Sequence, residues 1–208
     1  FRHDAADAGS LSHDRVLAIL EDDARRLWVA TSDGLNLFDP TASRFRRHGH
    51  DADNPQSLRD DDIISLYQDR GGVLWVGTRA GGASHWNPKS WALGHYRSAL
   101  TRNSAVHAFA DNGKGTVWVG TRDGLIEIDT ATHTERRYDT RSAGVRRLTD
   151  DRVMALQYDR NDALWIGTMA GGLMRLHPDQ RSVRVYRHVA GDPASLPANG
   201  VMSLYEDR

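Results

Sequence analysis

A tryptophan recurs along this chain at a nearly constant interval, and that period constrains the fold more than any other feature. The four residues are Trp28, Trp75, Trp118 and Trp165, so the intervals are 47, 43 and 47 residues. Around them the chain reads LWVAT, LWVGT, VWVGT and LWIGT. An aspartate precedes each segment and a glycine follows its threonine three residues later: Asp22, Asp69, Asp111 and Asp159; Gly34, Gly81, Gly124 and Gly171. A period of about 40 to 50 residues indicates one repeated structural unit rather than one or two ordinary domains.

Each repeat contains four short segments of strand-forming residues. In the first repeat they are the apolar stretch from Val16 to Leu20, the segment LWVAT, the stretch from Leu35 to Phe38, and the pair Phe45-Arg46. Four such strands in about 43 to 48 residues are typical of a β-propeller blade. We therefore predict an all-β fold, a β-propeller of four-stranded antiparallel blades, whose stacking buries the repeated tryptophans. A solenoid of stacked hairpins is the weaker alternative.

The repeats divide the whole chain. We expect one propeller segment over residues 1–208, with repeats at approximately 16–62, 63–104, 105–152 and 153–200 and partial blade strands at 1–3 and 201–208. Residues 1–3 match the last strand of a blade and residues 201–208 match the first. The two ends either share one blade or adjoin flanking blades that lie outside this chain. Either arrangement leaves strand edges to be covered, which predicts self-association through open blade edges.

The composition excludes several classes of protein. The chain has 27 Lys and Arg residues, 28 Asp and Glu residues, a net charge of -1 and no cysteine. The chain has no excess of basic residues, which is the feature expected of a nucleic-acid-binding protein. No apolar run approaches the length of a membrane helix, so we expect no direct membrane contact from this segment. Disulfides, thiolate metal sites and cysteine nucleophiles are excluded.

The motif [LV]-W-[VI]-[GA]-T, followed by a turn and glycine, resembles the two-component regulator propeller repeat. The connecting loops NPQSLRDDDI and DPASLPANGV are also similar to loops of that family, whereas Ala83-Ser84-His85 departs from the usual leucine after the glycines. The resemblance implies a bacterial sensor whose propeller is the extracytoplasmic, periplasmic input region of a histidine kinase, hybrid kinase or diguanylate cyclase. In gut-bacterial members this region recognises carbohydrate fragments, and the output domain lies elsewhere in the protein.

No motif in the sequence indicates catalysis, a metal or a cofactor. The GxSxG and HExxH motifs do not occur. The acidic run Asp60-Asp61-Asp62 and the pair His48 and His50 are the most metal-like clusters. Turn capping is the favoured interpretation of the acids. A repeated scaffold position, with His3 and His188 matching His48, is the favoured interpretation of the histidines.

The candidate ligand-binding residues lie where the repeats differ. Between each threonine and glycine the chain carries variable turn residues, and propeller geometry predicts that these turns gather on the face around the central channel. The candidates there are Ser32, Asp33, Arg79, Arg122 and Met169. The arginines suit polar or anionic groups, although drift at exposed turns would also produce this variation. Trp86 and Trp91 lie outside the period and are predicted either to stack on sugar or to be buried between strands.

These features favour a non-catalytic sensory module that binds carbohydrate or another small ligand. Two alternatives remain open. One is a propeller lyase resembling streptogramin lyases, in which His107 would act because it is the only histidine in a first strand. The other is a scaffold that serves only dimerisation.

Overall fold

The computed structural model describes residues 1–87, 92–95, 100–101, 104–179 and 181–207. The chain divides into two compact units, Phe1–Val106 and His107–Arg208. The described residues form four four-stranded sheets, each a meander in which neighbouring strands along the chain pair antiparallel. The predicted all-β architecture of four-stranded antiparallel blades is confirmed.

Two sheets lie in the first unit. Sheet 1 consists of β1 (Val16–Glu21), β2 (Leu27–Thr31), β3 (Gly34–Asp39) and β4 (Arg44–His48). Sheet 2 consists of β5 (Ile63–Gln68), β6 (Leu74–Thr78), β7 (Ala83–Asn87) and β8 (Ala92–His95). Strand β5 lies beside β1 and β2, as expected for neighbouring blades. The segment Ala83-Ser84-His85 therefore forms a third strand despite its departure from the family pattern. Trp91 lies outside the described residues.

The other two sheets belong to the second unit, apart from one residue at the start of β9. Sheet 3 consists of β9 (Val106–Asp111), β10 (Thr116–Thr121), β11 (Gly124–Asp129) and β12 (Glu135–Tyr138). Sheet 4 consists of β13 (Val153–Tyr158), β14 (Leu164–Thr168), β15 (Leu173–Leu176) and β16 (Val183–Tyr186). In the described part of the chain the only helix is a 3-10 turn at Gly144–Arg146, and no helix there is long and apolar enough to cross a membrane.

The repeated tryptophans contribute to the cores between sheets. In the first unit Trp28 packs with Ile63, Val76 and Trp86 of sheet 2. In the second unit Trp118 lies in an apolar cluster that also contains buried side chains of sheet 4. Trp28, Trp75 and Trp118 are buried, and burial of such large rings provides much of the hydrophobic stabilisation of a sheet interface.

Trp165 is less covered than the other three. It is half-buried and borders a groove of about 330 Å³ that Leu204, Tyr205 and Glu206 also line. Residues 201–207 form no strand, but the Val201 N–H donates to the Thr168 carbonyl (2.9 Å) and fixes the start of this segment on sheet 4.

Candidate functional site

A buried threonine fixes the turn between the second and third strands of every sheet. Each hydroxyl donates to the carbonyl of a glycine across the turn, and all four threonines are fully buried. The bonds are Thr31 to Gly34 (3.0 Å), Thr78 to Gly82 (3.0 Å), Thr121 to Gly124 (2.8 Å) and Thr168 to Gly172 (2.9 Å). This repeated bond explains why threonine recurs. Glycine recurs because each accepting glycine has a positive φ, from 79° to 134°, and in sheets 2 and 4 it is the second glycine of the turn.

The turns fall into two classes. Sheets 1 and 3 have two-residue tips, in which the backbone N–H groups of Asp33 and Asp123 donate to the threonine hydroxyls (3.1 Å each). The glycines that follow, Gly34 and Gly124, have φ values of 110° and 134°. Other residue types rarely adopt such values, so glycine is required there.

Sheets 2 and 4 have longer Ala-Gly-Gly turns, which are capped by an aspartate from the preceding loop. Asp60 Oδ2 accepts from the N–H groups of Ala80 (2.8 Å) and Gly81 (3.2 Å). Asp150 Oδ2 accepts from the N–H of Ala170 (2.7 Å) in the same way. The two-residue and Ala-Gly-Gly turns therefore present different backbones at their tips.

The acidic run Asp60-Asp61-Asp62 contacts three separate partners. Asp60 caps the turn, Asp61 Oδ1 accepts from the His50 N–H (2.5 Å), and Asp62 Oδ2 forms an ion pair with the Arg79 guanidinium. Within the described ranges no group of three potential metal ligands comes together. The geometry gives each carboxylate a structural task, as the turn-capping interpretation predicts.

The predicted ligand-binding residues occupy the turn tips of their own units. In the first unit Asp33 is exposed, Ser32 is half-buried, and Arg79 is exposed but paired with Asp62. The sheet 1 turn is joined to the loop that enters sheet 2, because the Gly34 N–H donates to the Asp61 carbonyl (2.7 Å).

In the second unit Arg122 is exposed, and its guanidinium has no hydrogen-bond or ion-pair partner among the residues that the structure describes. Met169 is 38% exposed and is tethered through its N–H to the Arg152 carbonyl (3.0 Å). The two tips therefore offer solvent a free cation and an apolar side chain. His107, the residue of the lyase alternative, lies in β9 and is half-buried.

Trp86 is buried, so its predicted role as an exposed stacking ring is corrected. It is 4% exposed, its ring centroid lies 5.2 Å from that of Trp28, and the Arg26 guanidinium carbon lies 4.5 Å above its ring. Strand β7 directs this side chain into the interface with sheet 1. The ring therefore belongs to the core.

A loop of constant length precedes the first strands of sheets 1, 2 and 4 and the segment that begins at Val201, and the hydrogen bond that closes it was not predicted from the sequence. The residue at its start donates its N–H to an Asp or Asn side chain eleven residues later. These bonds are His3 to Asp14 (2.6 Å), His50 to Asp61 (2.5 Å), Thr140 to Asp151 (2.7 Å) and His188 to Asn199 (2.8 Å). The equal spacing is the signal that would have revealed this loop.

The same loop shows that the predicted histidine equivalence was wrong. The Nδ1 atoms of His3, His50 and His188 hydrogen-bond to leucine carbonyls eight residues later, at 2.7 to 2.8 Å. His50, not His48, is therefore the counterpart of His3 and His188. His48 instead packs its ring 6.1 Å from Trp28, at the position where Tyr138 and Tyr186 pack on the tryptophans of their own sheets. Burial, with a smaller contribution from Arg46, lowers the pKa of His48.

The aspartate before each tryptophan segment also has a defined partner. Trp28, Trp75 and Trp165 donate their indole Nε1–H to Asp22 (2.8 Å), Asp69 (2.8 Å) and Asp159 (2.9 Å). The other oxygen of each carboxylate caps the turn amides. Burial alone would raise the pKa of Asp22, but the hydrogen bonds from Trp28 and Arg26 lower it overall.

Sheet 3 differs from this pattern, and the predicted equivalence of Asp111 needs correction. Asn112, six residues before Trp118, occupies the capping position, because its Oδ1 accepts from the N–H groups of Lys114 (2.8 Å) and Thr116 (3.0 Å). An amide has one acceptor oxygen where a carboxylate has two. Trp118 Nε1 accordingly donates to the Tyr158 hydroxyl of sheet 4 (2.8 Å).

Comparison with known proteins agrees with this architecture. A family model described as two component regulator propeller matches residues 10–33, 57–80 and 147–170, which contain the tryptophan strands of sheets 1, 2 and 4. No curated protein sequence matches the chain.

Three solved structures illustrate the likeness. One is the extracellular domain of the hybrid two component system BT3049 from B. thetaiotaomicron, with 26% identity and a TM-score of 0.72 over 87% of this chain and 23% of that one. The second is the extracellular domain of the one component system BT4673 from the same organism, with 20% identity and a TM-score of 0.75 over 94% and 25%. The third is PorZ, a surface component of the type-IX secretion system of Porphyromonas gingivalis, with 19% identity and a TM-score of 0.67 over 98% and 31%.

The chain spans less than a third of the length of each of these structures. Its four sheets, its repeated Thr–Gly and Asp–Trp bonds and the three family matches lead to one assignment. The chain is a β-propeller segment that carries three matches to the two-component regulator propeller repeat.

Proposed function

We propose that this segment is a non-catalytic sensory module in the periplasmic input region of a bacterial signal-transduction receptor, and that its turn tips bind a small polar ligand. The receptor's output domain would be a histidine kinase, hybrid kinase or diguanylate cyclase. The observation that carries the proposal is a buried Thr–Gly hydrogen bond repeated at four turns that carry different side chains at their tips. Similarity to extracellular domains of sensor systems supports the sensory role and the extracytoplasmic location.

The fixed frame makes the tips suitable for recognition. The buried threonines hold the turn ends, so a substitution at a tip changes the chemistry presented to solvent with little effect on the fold. Binding residues are commonly placed on loops held by a rigid scaffold. The tryptophan rings and the central strands are occupied by packing, so the tips are the variable part of each blade.

Arg122 is the strongest single candidate for ligand contact. Its guanidinium is exposed and free of partners in the described part of the chain, whereas Arg79 is already paired with Asp62. A free guanidinium offers a planar set of N–H donors that binds carboxylates bidentately. Acidic oligosaccharides, which combine carboxylates with many hydroxyl groups, are therefore the ligand class we propose, ahead of neutral sugars.

Calorimetric titration of the purified chain tests the proposal. The panel consists of acidic oligosaccharides, neutral oligosaccharides of the same length, and simple carboxylate anions. We expect saturable binding of an acidic sugar that Arg122→Ala weakens at least several-fold. Lys114→Ala is the matched control, because it removes an exposed cation from the opposite end of the same sheet, where Lys114 pairs with Asp162 (3.1 Å).

Two results would contradict the proposal. Absence of saturable binding across the panel would remove the ligand-binding role. Equal loss of affinity in Arg122→Ala and Lys114→Ala would show a general charge effect and not recognition by the turn tip. Circular dichroism of both variants verifies that the sheets are intact.

A further inference from the structure

Two asparagine-glycine pairs occur in the chain, Asn112-Gly113 and Asn199-Gly200. Each asparagine occupies a position where the other repeats have aspartate. Asn112 stands where Asp22, Asp69 and Asp159 cap their turns. Asn199 stands where Asp14, Asp61 and Asp151 accept the N–H at the start of the connecting loop. Both positions therefore suit a carboxylate in the frame of the fold.

The hydrogen-bond lengths at the loop position agree with this view. The three aspartates accept their bonds at 2.5 to 2.7 Å, and Asn199 accepts the His188 N–H at 2.8 Å. Bonds to a charged acceptor are shorter and stronger than bonds to a neutral one. A carboxylate at position 199 would thus make the same contact as its three counterparts.

The two asparagine-glycine pairs differ in how strongly hydrogen bonds restrain the asparagine side chain and the glycine N–H. Gly113 donates its N–H to Asp111 Oδ1 (2.6 Å), and the Asn112 side chain is held by two further backbone donors. Gly200 is exposed, and its N–H has no hydrogen-bond partner in the part of the chain that the structure describes. The Asn199 side-chain oxygen accepts one bond, from His188.

We propose that Asn199 is a site of spontaneous deamidation and that it reacts ahead of Asn112. The backbone nitrogen of Gly200 loses its proton and attacks Asn199 Cγ, and the side-chain amide leaves as ammonia, which closes a succinimide ring. Glycine favours this attack because it has no Cβ to hinder the approach. Water then opens either C–N bond of the ring, so the net reaction consumes one water and releases one ammonia.

The two products have opposite structural effects. Aspartate at position 199 keeps the bond from His188 and matches the other three loops. Isoaspartate adds a carbon to the main chain between positions 199 and 200. That added carbon displaces the bonds from the Gly172 N–H to the Asn199 carbonyl (3.0 Å) and from the Val201 N–H to the Thr168 carbonyl (2.9 Å).

The test measures deamidation at Asn112 and at Asn199 in one sample. The purified full chain is incubated in mildly alkaline buffer, and digested peptides are analysed by mass spectrometry with fragmentation that separates aspartate from isoaspartate. We expect the Asn199 peptide to convert several-fold faster than the Asn112 peptide, which serves as the internal control. Gly200→Ala should slow conversion at Asn199 and leave Asn112 unchanged.

The Asn199→Asp variant tests the structural part of the inference. It should fold with an unfolding temperature at or above that of the unmodified chain. An Asn199 peptide that stays amidated, or that converts no faster than the Asn112 peptide, overturns the proposal. A clear fall in the unfolding temperature of Asn199→Asp would equally overturn it, because the position would then not suit a carboxylate.

Discussion

Replacing Asp22 with asparagine tests the bond on which the tryptophan period depends. The Asp22 side chain is 1% exposed and accepts four hydrogen bonds. Its Oδ1 caps the turn at Ala24 and Arg26, while its Oδ2 accepts from Arg26 Nε (2.7 Å) and Trp28 Nε1 (2.8 Å). In Asp22→Asn the capping oxygen is retained, but an NH₂ group faces the two side-chain donors.

The structure sets the size of the effect. A hydrogen bond to a charged group contributes about 1.5 to 3 kcal/mol, and a buried donor left without a partner costs about 1 to 3 kcal/mol. The Arg26 side chain is 21% exposed and can turn towards water, whereas Trp28 is 1% exposed and cannot. We therefore expect Asp22→Asn to lower the free energy of unfolding by about 3 kcal/mol, most of it from the indole N–H.

Urea unfolding followed by tryptophan fluorescence and circular dichroism measures this difference. Coincidence of the two transitions establishes that a single free energy of unfolding applies. Asp33→Asn is the matched control, because it is the same substitution at an exposed turn tip and should change the free energy by no more than about 0.5 kcal/mol. A loss below about 1 kcal/mol in Asp22→Asn would refute the reasoning.

The pH dependence supplies a second check on the same bond. The folded-state pKa of Asp22 is lowered, so its contribution to stability is present above the ordinary aspartate pKa of 3.8 and is lost as the pH falls through the folded-state value. The difference between the wild type and Asp22→Asn should therefore shrink in that acidic range. A difference that stays constant to the end of the acid titration would contradict the role assigned to the carboxylate.

Three further predictions follow from buried contacts in the two units. Tyr158→Phe should lower the free energy of unfolding by about 1 to 3 kcal/mol in a urea titration, because it removes the acceptor of the Trp118 indole N–H. Burial lowers the pKa values of His48 and His85, so the unfolded chain binds more protons below about pH 6.5 and stability should fall as the pH drops from there towards the folded-state values. His48→Tyr should reduce that acid sensitivity in melting curves. Gly77→Ala should destabilise the first unit by several kcal/mol in the same assay, because its Cβ would lie 2.5 Å from a neighbouring carbonyl oxygen.

The strand order could be predicted from the sequence because each element carries its own local signal. Tryptophan and β-branched residues mark the second strand, and a threonine and glycine mark the turn that follows. In the structure these are the residues whose hydroxyl, carbonyl and φ angle define the turn, as at Thr31 and Gly34. The repeat can be recognised in the sequence because the backbone of each turn requires these residue types.

Equivalences between neighbouring polar residues could not be predicted in the same way. Asp111 and Asn112 are adjacent and both suit a turn, and only the hydrogen bonds show that Asn112 is the cap. His48 and His50 likewise differ by two positions, yet one packs on Trp28 and the other binds the Leu58 carbonyl. Which of two neighbouring polar residues takes a given position depends on its hydrogen-bond and packing partners in the folded structure, and a single sequence does not show these.

The burial of Trp86 has a consequence for where a ligand can bind. Aromatic rings are candidates for sugar stacking, but Trp28 and Trp86 are both buried and pack against each other, and Arg26 lies over the Trp86 ring. The indole N–H groups of the four periodic tryptophans are also all engaged, in three cases by aspartate and in one by tyrosine. The strands therefore have few unused donors or ring faces to offer a ligand. We therefore propose the turn tips as the site of ligand contact, because the buried Thr–Gly bond lets Arg122 and its counterparts differ without altering the turn ends that hold them.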